Sequence, residues 1–151
     1  MIIFDLDGTL ADIEHRRHFI AAPKKEWKAF NRACVDDDPI PQTIRMFELL
    51  AASTPSPYIE IWTGRNESVR RQTVNWLYQH VGCYEKETLD KILKMRPDGN
   101  YVQDYAMKGD WLKDYTRAGR KIELVFEDRT QVVDMYREAG IPCFQVADGN
   151  F

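Results

Sequence analysis

Ile2-Ile3-Phe4-Asp5-Leu6-Asp7-Gly8-Thr9 is the stretch from which the fold of this chain can be worked out. Its first three residues are apolar and predict a short buried strand. The strand passes directly into a loop that carries two carboxylates, Asp5 and Asp7. Ligands of open parallel sheets bind beyond the carboxyl ends of the strands, so we expect both carboxylates to belong to a functional site.

An apolar run that ends in polar, reactive side chains recurs twice farther along the chain. Residues 58–62 lead to Thr63, and residues 122–126 lead to Glu127-Asp128. Because the carboxyl ends of parallel strands meet at one edge of a sheet, we expect these side chains to converge on the carboxylates of the first loop.

The rest of the chain alternates between helical and strand-like patterns. Apolar spacing typical of helices recurs at residues 43–52, 67–79, 102–115 and 130–139. Residues 144–146 predict a last short strand, whereas residues 89–95 fit a strand and a helix about equally. This alternation predicts an α/β fold, a Rossmann-like three-layer sandwich around a mostly parallel, five-stranded sheet.

Residues 12–39 depart from this alternation directly after the first strand. They are polar, helical in tendency and broken by Pro23, and we expect them to form a small helical cap. The chain has 151 residues, enough for one compact domain and little more. We therefore predict a single domain over residues 1–151 that carries this insert.

The composition predicts a soluble protein of a reducing compartment. The formal net charge of −3 argues against a surface coated in basic charge but not against a local basic patch. The cysteines, Cys34, Cys83 and Cys143, form no CxxC pair, so we expect free thiols and a cytoplasmic location. No apolar run predicts a signal peptide or a membrane-spanning helix.

Carboxylates gathered from two strand ends predict a site for Mg²⁺ and phosphoryl transfer. Mg²⁺ prefers oxygen ligands and keeps waters that phosphate oxygens can replace. A carboxylate beside the ion can attack phosphorus and form an aspartyl-phosphate. A second carboxylate two residues away can protonate the leaving oxygen and then deprotonate the incoming water. Hydroxyl and ammonium groups, here Thr63 and Lys108, can bind the negative equatorial oxygens.

Four motifs in order resemble those of the haloacid dehalogenase superfamily. They are Asp5-Leu6-Asp7-Gly8-Thr9 (DxDGT), Thr63-Gly64-Arg65, Lys108 and Glu127-Asp128. The resemblance implies that Asp5 is the nucleophile and, with Asp128, a ligand of Mg²⁺. It implies that Asp7 is the general acid/base and binds the metal through its main-chain carbonyl. Thr63 and Lys108 are implied to hold the phosphoryl group.

Most of the chain is also similar to a narrower family, the 3′-phosphatase domain of phage polynucleotide kinase. The similarity runs through Glu127-Asp128-Arg129-Thr130-Gln131-Val132-Val133-Asp134-Met135-Tyr136-Arg137, residues 143–147 and the ending Gly149-Asn150-Phe151. Arg16, Arg65 and Asp104 also stand at positions that serve the site of that family.

This narrower resemblance implies a polynucleotide substrate, DNA or RNA, with a 3′-phosphate, in a bacterium or a phage-infected host. The residues implied to bind substrate are Thr9, Arg16, Gly64, Arg65 and Arg96. Asp104 is implied to orient Lys108, and Glu127 stands where the family usually has an aspartate. A local basic groove is expected from Arg16, Arg17, Arg65 and residues 24–32.

The sequence departs from the phage domain in ways that leave its partners open. Residues 12–39 form a longer insert than the phage counterpart. The phosphate-binding GxxxxGK[ST] motif is absent, so we expect no kinase activity from this chain. Whether a separate kinase or ligase works alongside, and in what oligomeric state, stays open at this point.

Two other functions fit the same motifs. The chain could be a 5′(3′)-nucleotidase or small-molecule phosphatase whose insert forms the pocket. It could also be a phosphate-sensing scaffold without turnover, although the presence of Asp7 argues against that.

Several residues of the insert have plainer interpretations. His15 and His18 lack the partners of a zinc site, and we expect them to be exposed. Trp27 and Phe30 are expected to pack, although the basic residues around them leave contact with nucleic acid open. The run Asp36-Asp37-Asp38 predicts a solvated loop.

Overall fold

A computed structural model describes residues 1–21, 23–54 and 58–149. Along the chain its strands and helices are β1 Ile2–Phe4, β2 Ala11–Asp12, α1 His18–Ala21, α2 Trp27–Arg32, β3 Asp38–Pro39, α3 Pro41–Ser53, β4 Ile59–Asn66, α4 Arg70–His80, α5 Lys86–Ile92, β5 Leu93–Arg96, α6 Asp104–Arg117, β6 Leu124–Glu127, α7 Thr130–Glu138 and β7 Cys143–Gln145. Ala22 of the predicted cap, and Asn150 and Phe151 of the sequence resemblance, lie outside the described residues.

Five strands form one parallel sheet in the order β5-β4-β1-β6-β7. The chain builds outward from β1 to β5, returns to the centre and builds outward again to β7. This change of direction makes the carboxyl end of β1, where Asp5 follows, the topological switch point at which open α/β sheets bind ligands. The predicted α/β fold around a five-stranded sheet is confirmed, and the strands of this sheet are all parallel.

Helices cover both faces of the sheet because successive strand residues point to opposite sides. Phe4 lies in a core cluster with buried side chains of α3, α4 and α5. Ile3, its neighbour in β1, lies in a second cluster with buried side chains of α6 and α7. The result is the predicted three-layer sandwich, with the ends of the strands open for a site.

The predicted helices correspond to α3, α4, α6 and α7, and the ambiguous segment resolves into both alternatives. Residues 89–95 contain the end of α5 and the beginning of β5, with the boundary between Ile92 and Leu93. Periodicity could not separate the two because the apolar residues there serve a helix face first and a strand face next.

β4 extends past its predicted end at residue 62. It runs to Asn66 because its pairing with β5 resumes there, opposite Arg96, after an irregularity in the register. Thr63, Gly64 and Arg65 therefore lie within a strand rather than after one. An irregular register of this kind redirects side chains locally, and it falls here in a predicted motif.

The segment between β1 and α3 is built from short helices and a small sheet. α1 and α2 are separated by the region of Pro23, and 3₁₀ turns cover Glu14–Arg16 and Ala33–Asp36. β2 and β3 pair in antiparallel fashion and bring the two ends of the segment together. The two-stranded sheet was not predicted because strands of this length leave no alternating pattern.

The described cysteines are free thiols, as expected: Cys34 and Cys143 are buried and Cys83 is exposed. Across the described ranges, no helix combines the length and the apolar character needed to cross a membrane.

Candidate active site

The carboxyl end of β1 places Asp5 between the ends of its two neighbouring strands. The backbone N–H of Asp5 donates to the carbonyl of Phe126 at 2.9 Å, which continues the pairing with β6 by one residue. Asp5, Glu127 and Asp128 are each at most 4% exposed. Three carboxylates from two adjacent strands are thus brought together in the interior, as the sequence predicts.

These carboxylates share one ammonium group. Lys108 Nζ, itself buried, lies 2.6 Å from Asp5 Oδ1 and 2.7 Å from Glu127 Oε2. Asp104, one turn earlier on α6, lies 3.5 Å from the same ammonium. The spacing of Asp104 and Lys108 on the helix therefore directs both side chains toward Asp5, and Glu127 contacts Lys108 from β6.

The electrostatics of the cluster suit a divalent cation. Oxygens of Asp5, Glu127 and Asp128 all lie within 4.8 Å of one another. Burial raises the pKa of Asp5 well above its ordinary value, that of Glu127 to about 7 and that of Asp128 to about 6. Burial alone would lower the pKa of Lys108, but the surrounding carboxylates raise it instead. Buried carboxylate oxygens in excess over nearby cations are a donor set that fits Mg²⁺.

Two glycines allow this packing. Gly8 has a φ of +87°, and a Cβ there would lie 2.2 Å from Asp128 Oδ2. A Cβ on Gly64 would lie 2.8 Å from Asp104 Oδ1. Gly8 in the first motif and Gly64 in the second therefore let the backbone approach the carboxylates of the site closely.

Asp7 is held by two arginines. Its Oδ1 accepts from Arg65 Nε at 2.6 Å and from Arg16 Nη2 at 2.8 Å. Burial, the largest effect, would raise the pKa of Asp7, but the two guanidiniums together lower it below the ordinary value. The carboxylate form of Asp7 is therefore favoured in this arrangement.

Asp37 is the residue that sequence reasoning missed. It is 3% exposed, and its carboxylate accepts from Arg16 Nε at 2.6 Å, from Arg16 Nη2 at 2.7 Å and from Arg65 Nη2. The Trp76 indole donates to its carbonyl at 2.7 Å. The prediction of a solvated Asp36-Asp37-Asp38 loop is right for the two outer residues, which are exposed, and wrong for Asp37. The acidic residues on either side of Asp37 do not predict its burial, because that burial depends on partners far away in sequence.

Arg16 and Arg65 lie in the interior rather than along a surface groove. Both are at most 1% exposed, so the expected basic groove does not include them as exposed residues. Burial of their charge is compensated by the carboxylates of Asp7 and Asp37. The Arg16 guanidinium also stacks on the Phe30 ring at 4.1 Å. Arg65 Nη1 is buried without a hydrogen-bond partner in the described part of the chain.

The remaining residues of the insert follow the plainer predictions in part. Phe30 is buried, as expected, but Trp27 is 48% exposed. His15 contacts Asp37 at 2.9 Å, and His18 lies against the Phe19 ring, with centroids 4.0 Å apart. Both histidines are exposed, as expected.

Two threonines of the predicted site line its interior. Thr63 is fully buried and its Oγ1 accepts from the Arg65 backbone N–H at 3.1 Å. Thr9 Oγ1 is buried without a hydrogen-bond partner among the residues described. Thr9 Oγ1 and the Arg65 guanidinium thus carry hydrogen-bonding capacity that the described protein groups leave unused.

Arg96 fastens the segment that follows β5. Its Nε donates to the Gly64 carbonyl at 3.1 Å, its Nη1 to the Val102 carbonyl at 2.8 Å and its Nη2 to Asp104 Oδ1 at 3.1 Å. The side chain is 16% exposed. Arg96 therefore lies beside the predicted site and ties β4, the following loop and α6 together.

The five-stranded sheet and its helices have a haloacid dehalogenase-like fold. A haloacid dehalogenase-like hydrolase from Streptococcus pneumoniae superposes with a TM-score of 0.59, at 14% identity, over 94% of this chain and 81% of that one. At that identity the likeness concerns the fold alone.

Sequence comparison identifies the particular family. The sequence model of the family "polynucleotide kinase PNKP phosphatase domain" matches residues 1–151, and the chain belongs to this family. It is therefore a haloacid dehalogenase phosphatase that resembles the phosphatase domain of polynucleotide kinase, as the sequence predicts.

Relatives of known structure come from RNA repair complexes. Chains in two structures of the Pnkp1/Rnl/Hen1 complex have TM-scores of 0.74 and 0.73, with 26% and 27% identity, and each match covers 99% of this chain. A protein of Autographa californica nuclear polyhedrosis virus, assigned as a bifunctional polynucleotide kinase/RNA ligase, is 27% identical over 143 residues, 93% of this chain. The chain spans 43% and 46% of the two structural relatives and 18% of the viral one.

Proposed function

We propose that this chain removes the phosphate from the 3′ end of a polynucleotide, in a Mg²⁺-dependent reaction that passes through phosphorylated Asp5. The observation that carries the proposal is the buried contact of Asp5 with Lys108 beside Asp128 and Glu127, at the switch point of the sheet. A buried carboxylate with two further buried carboxylates beside it suits metal-assisted phosphoryl transfer better than a purely structural role.

The carboxylates of Asp5 and Asp128, with the main-chain carbonyl of Asp7, would hold the Mg²⁺ ion. When bound, the ion supplies charge neutralisation at the phosphate oxygens. Glu127 supports this arrangement indirectly: it accepts from Lys108 and, at 3.2 Å, from the backbone N–H of Arg129. Replacement of the usual aspartate by this longer side chain therefore leaves the contact with Lys108 intact.

Asp5 acts as the nucleophile. One of its oxygens forms a bond to phosphorus while the bond between phosphorus and the 3′-oxygen of the substrate breaks. Lys108 offsets part of the burial effect that raises the pKa of Asp5 and stays beside the transferring group, and Thr63 lines the interior of the site. Water then attacks the phosphorylated Asp5, which releases phosphate and restores the carboxylate.

Asp7 donates the proton to the leaving oxygen, and Arg16 and Arg65 control whether Asp7 is protonated. A general acid must carry a proton, yet Arg16 and Arg65 favour its ionised form. A phosphate group that binds Arg65 Nη1, which is buried and without a partner among the described groups, would bring negative charge close to Asp7. The pKa of Asp7 would then rise toward the value that a proton donor needs.

The choice of a polynucleotide end rests on the family. The phosphatase domain of polynucleotide kinase matches the whole chain, and relatives of known structure belong to RNA repair complexes. The residues proposed to bind the substrate are those of the sequence resemblance: Thr9, Arg16, Gly64, Arg65 and Arg96. We also propose that a kinase or ligase, separate or joined to this domain, acts on the ends that it produces.

The test is phosphate release from matched oligonucleotides that carry a phosphate at the 3′ end or at the 5′ end. Release from the 3′ end alone, abolished by a chelator and by Asp5→Asn, is the expected result. Equal release from both ends would contradict 3′ specificity, and full activity of Asp5→Asn would contradict the covalent route. Release only from a 3′-mononucleotide would assign the chain to the nucleotidases.

A further inference from the structure

Among the described residues, Tyr101 is exposed far more than any other aromatic side chain. It is 91% exposed, the largest value among the described large hydrophobic residues. Val102 is 51% and Tyr105 is 41% exposed, so a segment of five residues, which we call the Tyr101 patch, presents three large exposed side chains. Single exposed tyrosines need no explanation, but a local cluster points to a ligand or partner.

The backbone under this patch is tied down. Asn100 Oδ1 accepts from the Val102 backbone N–H at 3.0 Å, and Arg96 Nη1 donates to the Val102 carbonyl at 2.8 Å. Both neighbours of Tyr101 in the sequence therefore take part in hydrogen bonds. An aromatic ring presented by a fixed backbone loses less entropy on binding than one on a mobile loop, so it suits recognition.

The patch adjoins the catalytic centre through Asp104, the first residue of α6. Arg96 Nη2 lies 3.1 Å from Asp104 Oδ1, and Nη1 of the same side chain donates to the Val102 carbonyl in the loop of Tyr101. Asp104 in turn lies 3.5 Å from Lys108 Nζ, which contacts Asp5 at 2.6 Å. The loop that carries Tyr101 is thus linked to Asp5 through three consecutive side chains, Arg96, Asp104 and Lys108.

Two arginines contact Asp104 next to this segment. Arg129 Nη1 lies 3.8 Å from Asp104 Oδ2, and the Arg129 side chain is 30% exposed. Arg96 is 16% exposed. Aromatic rings next to arginines are the combination that binds single-stranded nucleic acid, because bases stack on the rings while cations track the phosphates.

We propose that Tyr101 stacks on one of the last two nucleobases of a single-stranded polynucleotide whose 3′-phosphate lies at Asp5. The proposal rests on the proposed function and extends it by naming how the strand is gripped. Tyr105 borders the same surface, and Arg129 faces the phosphates of the strand. Stacking of this kind tolerates every base, so the contact selects for a polynucleotide end without selecting its sequence.

The test compares two substrates in the full chain: a short 3′-phosphorylated oligonucleotide and glycerol 2-phosphate, which has no base. In Tyr101→Ala the ratio of kcat/KM for the oligonucleotide to that for glycerol 2-phosphate should fall about 5- to 150-fold, mainly through KM. Tyr101→Phe, which keeps the ring, should stay near the wild-type ratio. Tyr78→Ala removes a tyrosine of α4 that is 45% exposed and should leave the ratio unchanged.

An abasic substrate identifies the partner of the ring. For the wild-type protein, removing the last two bases should lower kcat/KM about as much as the substitution Tyr101→Ala does. For the Tyr101→Ala variant, removing the same bases should lower kcat/KM little further. Full additivity of the two changes, or a ratio unchanged in Tyr101→Ala, would overturn the proposal while the 3′-phosphatase function stands. Hydrolysis of glycerol 2-phosphate but not of the oligonucleotide by the wild-type protein would overturn both.

Discussion

Replacing Asp37 with asparagine tests whether one buried carboxylate organises the catalytic side of the insert. Asp37 accepts from Arg16 at 2.6 and 2.7 Å and also from Arg65. Asparagine keeps the volume but removes the charge. Two buried guanidiniums would then face the single carboxylate of Asp7.

The expected loss of stability is large because Arg16 and Arg65 are both buried. Removing one partner of a buried ion pair costs about 3–5 kcal/mol. For a chain of 151 residues, each kcal/mol lowers Tm by about 2–4 °C, so Asp37→Asn should lower Tm by roughly 6–20 °C. Because Arg16 and Arg65 also hold Asp7, kcat should fall as well, toward the loss of about 10²-fold or more that follows removal of a general acid/base.

Thermal unfolding and steady-state hydrolysis of p-nitrophenyl phosphate measure the two effects. Asp36→Asn is the matched control, since Asp36 is the exposed neighbour of Asp37 and loses the same charge. Its Tm should stay within about 2 °C of wild type, as expected for an exposed position. Equal shifts of Tm in Asp37→Asn and Asp36→Asn, with kcat retained in both, would show that Asp37 does not organise this side of the insert.

Three further predictions concern the first loop and the carboxylate cluster. Gly8→Ala should destabilise the protein by more than about 1 kcal/mol beyond Gly99→Ala, measured by urea unfolding. Both glycines have positive φ, but only at Gly8 would the Cβ meet Asp128; equal losses would contradict this. Asp7→Asn should lower kcat about 10²- to 10⁴-fold in rapid-quench assays. A decrease of less than about tenfold would show that Asp7 transfers no proton. Burial raises the pKa of Asp128 to about 6 and of Glu127 to about 7, so without metal the protein gains stability as pH falls through that range. Mg²⁺ requires the ionised form of its ligand Asp128, and the rise in Tm that it causes should therefore shrink from about pH 8 to about pH 5.5; a pH-independent rise would show that Asp128 does not bind it.

Much of this protein was readable from local patterns. Apolar triplets such as Ile2–Phe4 predict strands because burial on both faces requires uninterrupted apolar residues. The carboxylates that follow β1 and β6 were expected to converge, and Asp5 and Asp128 do lie together. The family resemblance implied that Asp104 orients Lys108, and their four-residue spacing on one helix places both on one face, because 3.6 residues make a turn. These features depend on short-range geometry, which the sequence determines by itself.

The tertiary structure alone decided which charges are buried and with whom. Asp37 looks identical to Asp36 in sequence, yet only Asp37 reaches Arg16 and Arg65, at separations of 21 and 28 residues. Arg16 was expected at a surface and lies in the interior, because two carboxylates from different segments compensate its charge. No local pattern encodes such a pairing, since the free energy of a buried charge depends on partners that only the folded chain brings within hydrogen-bond distance.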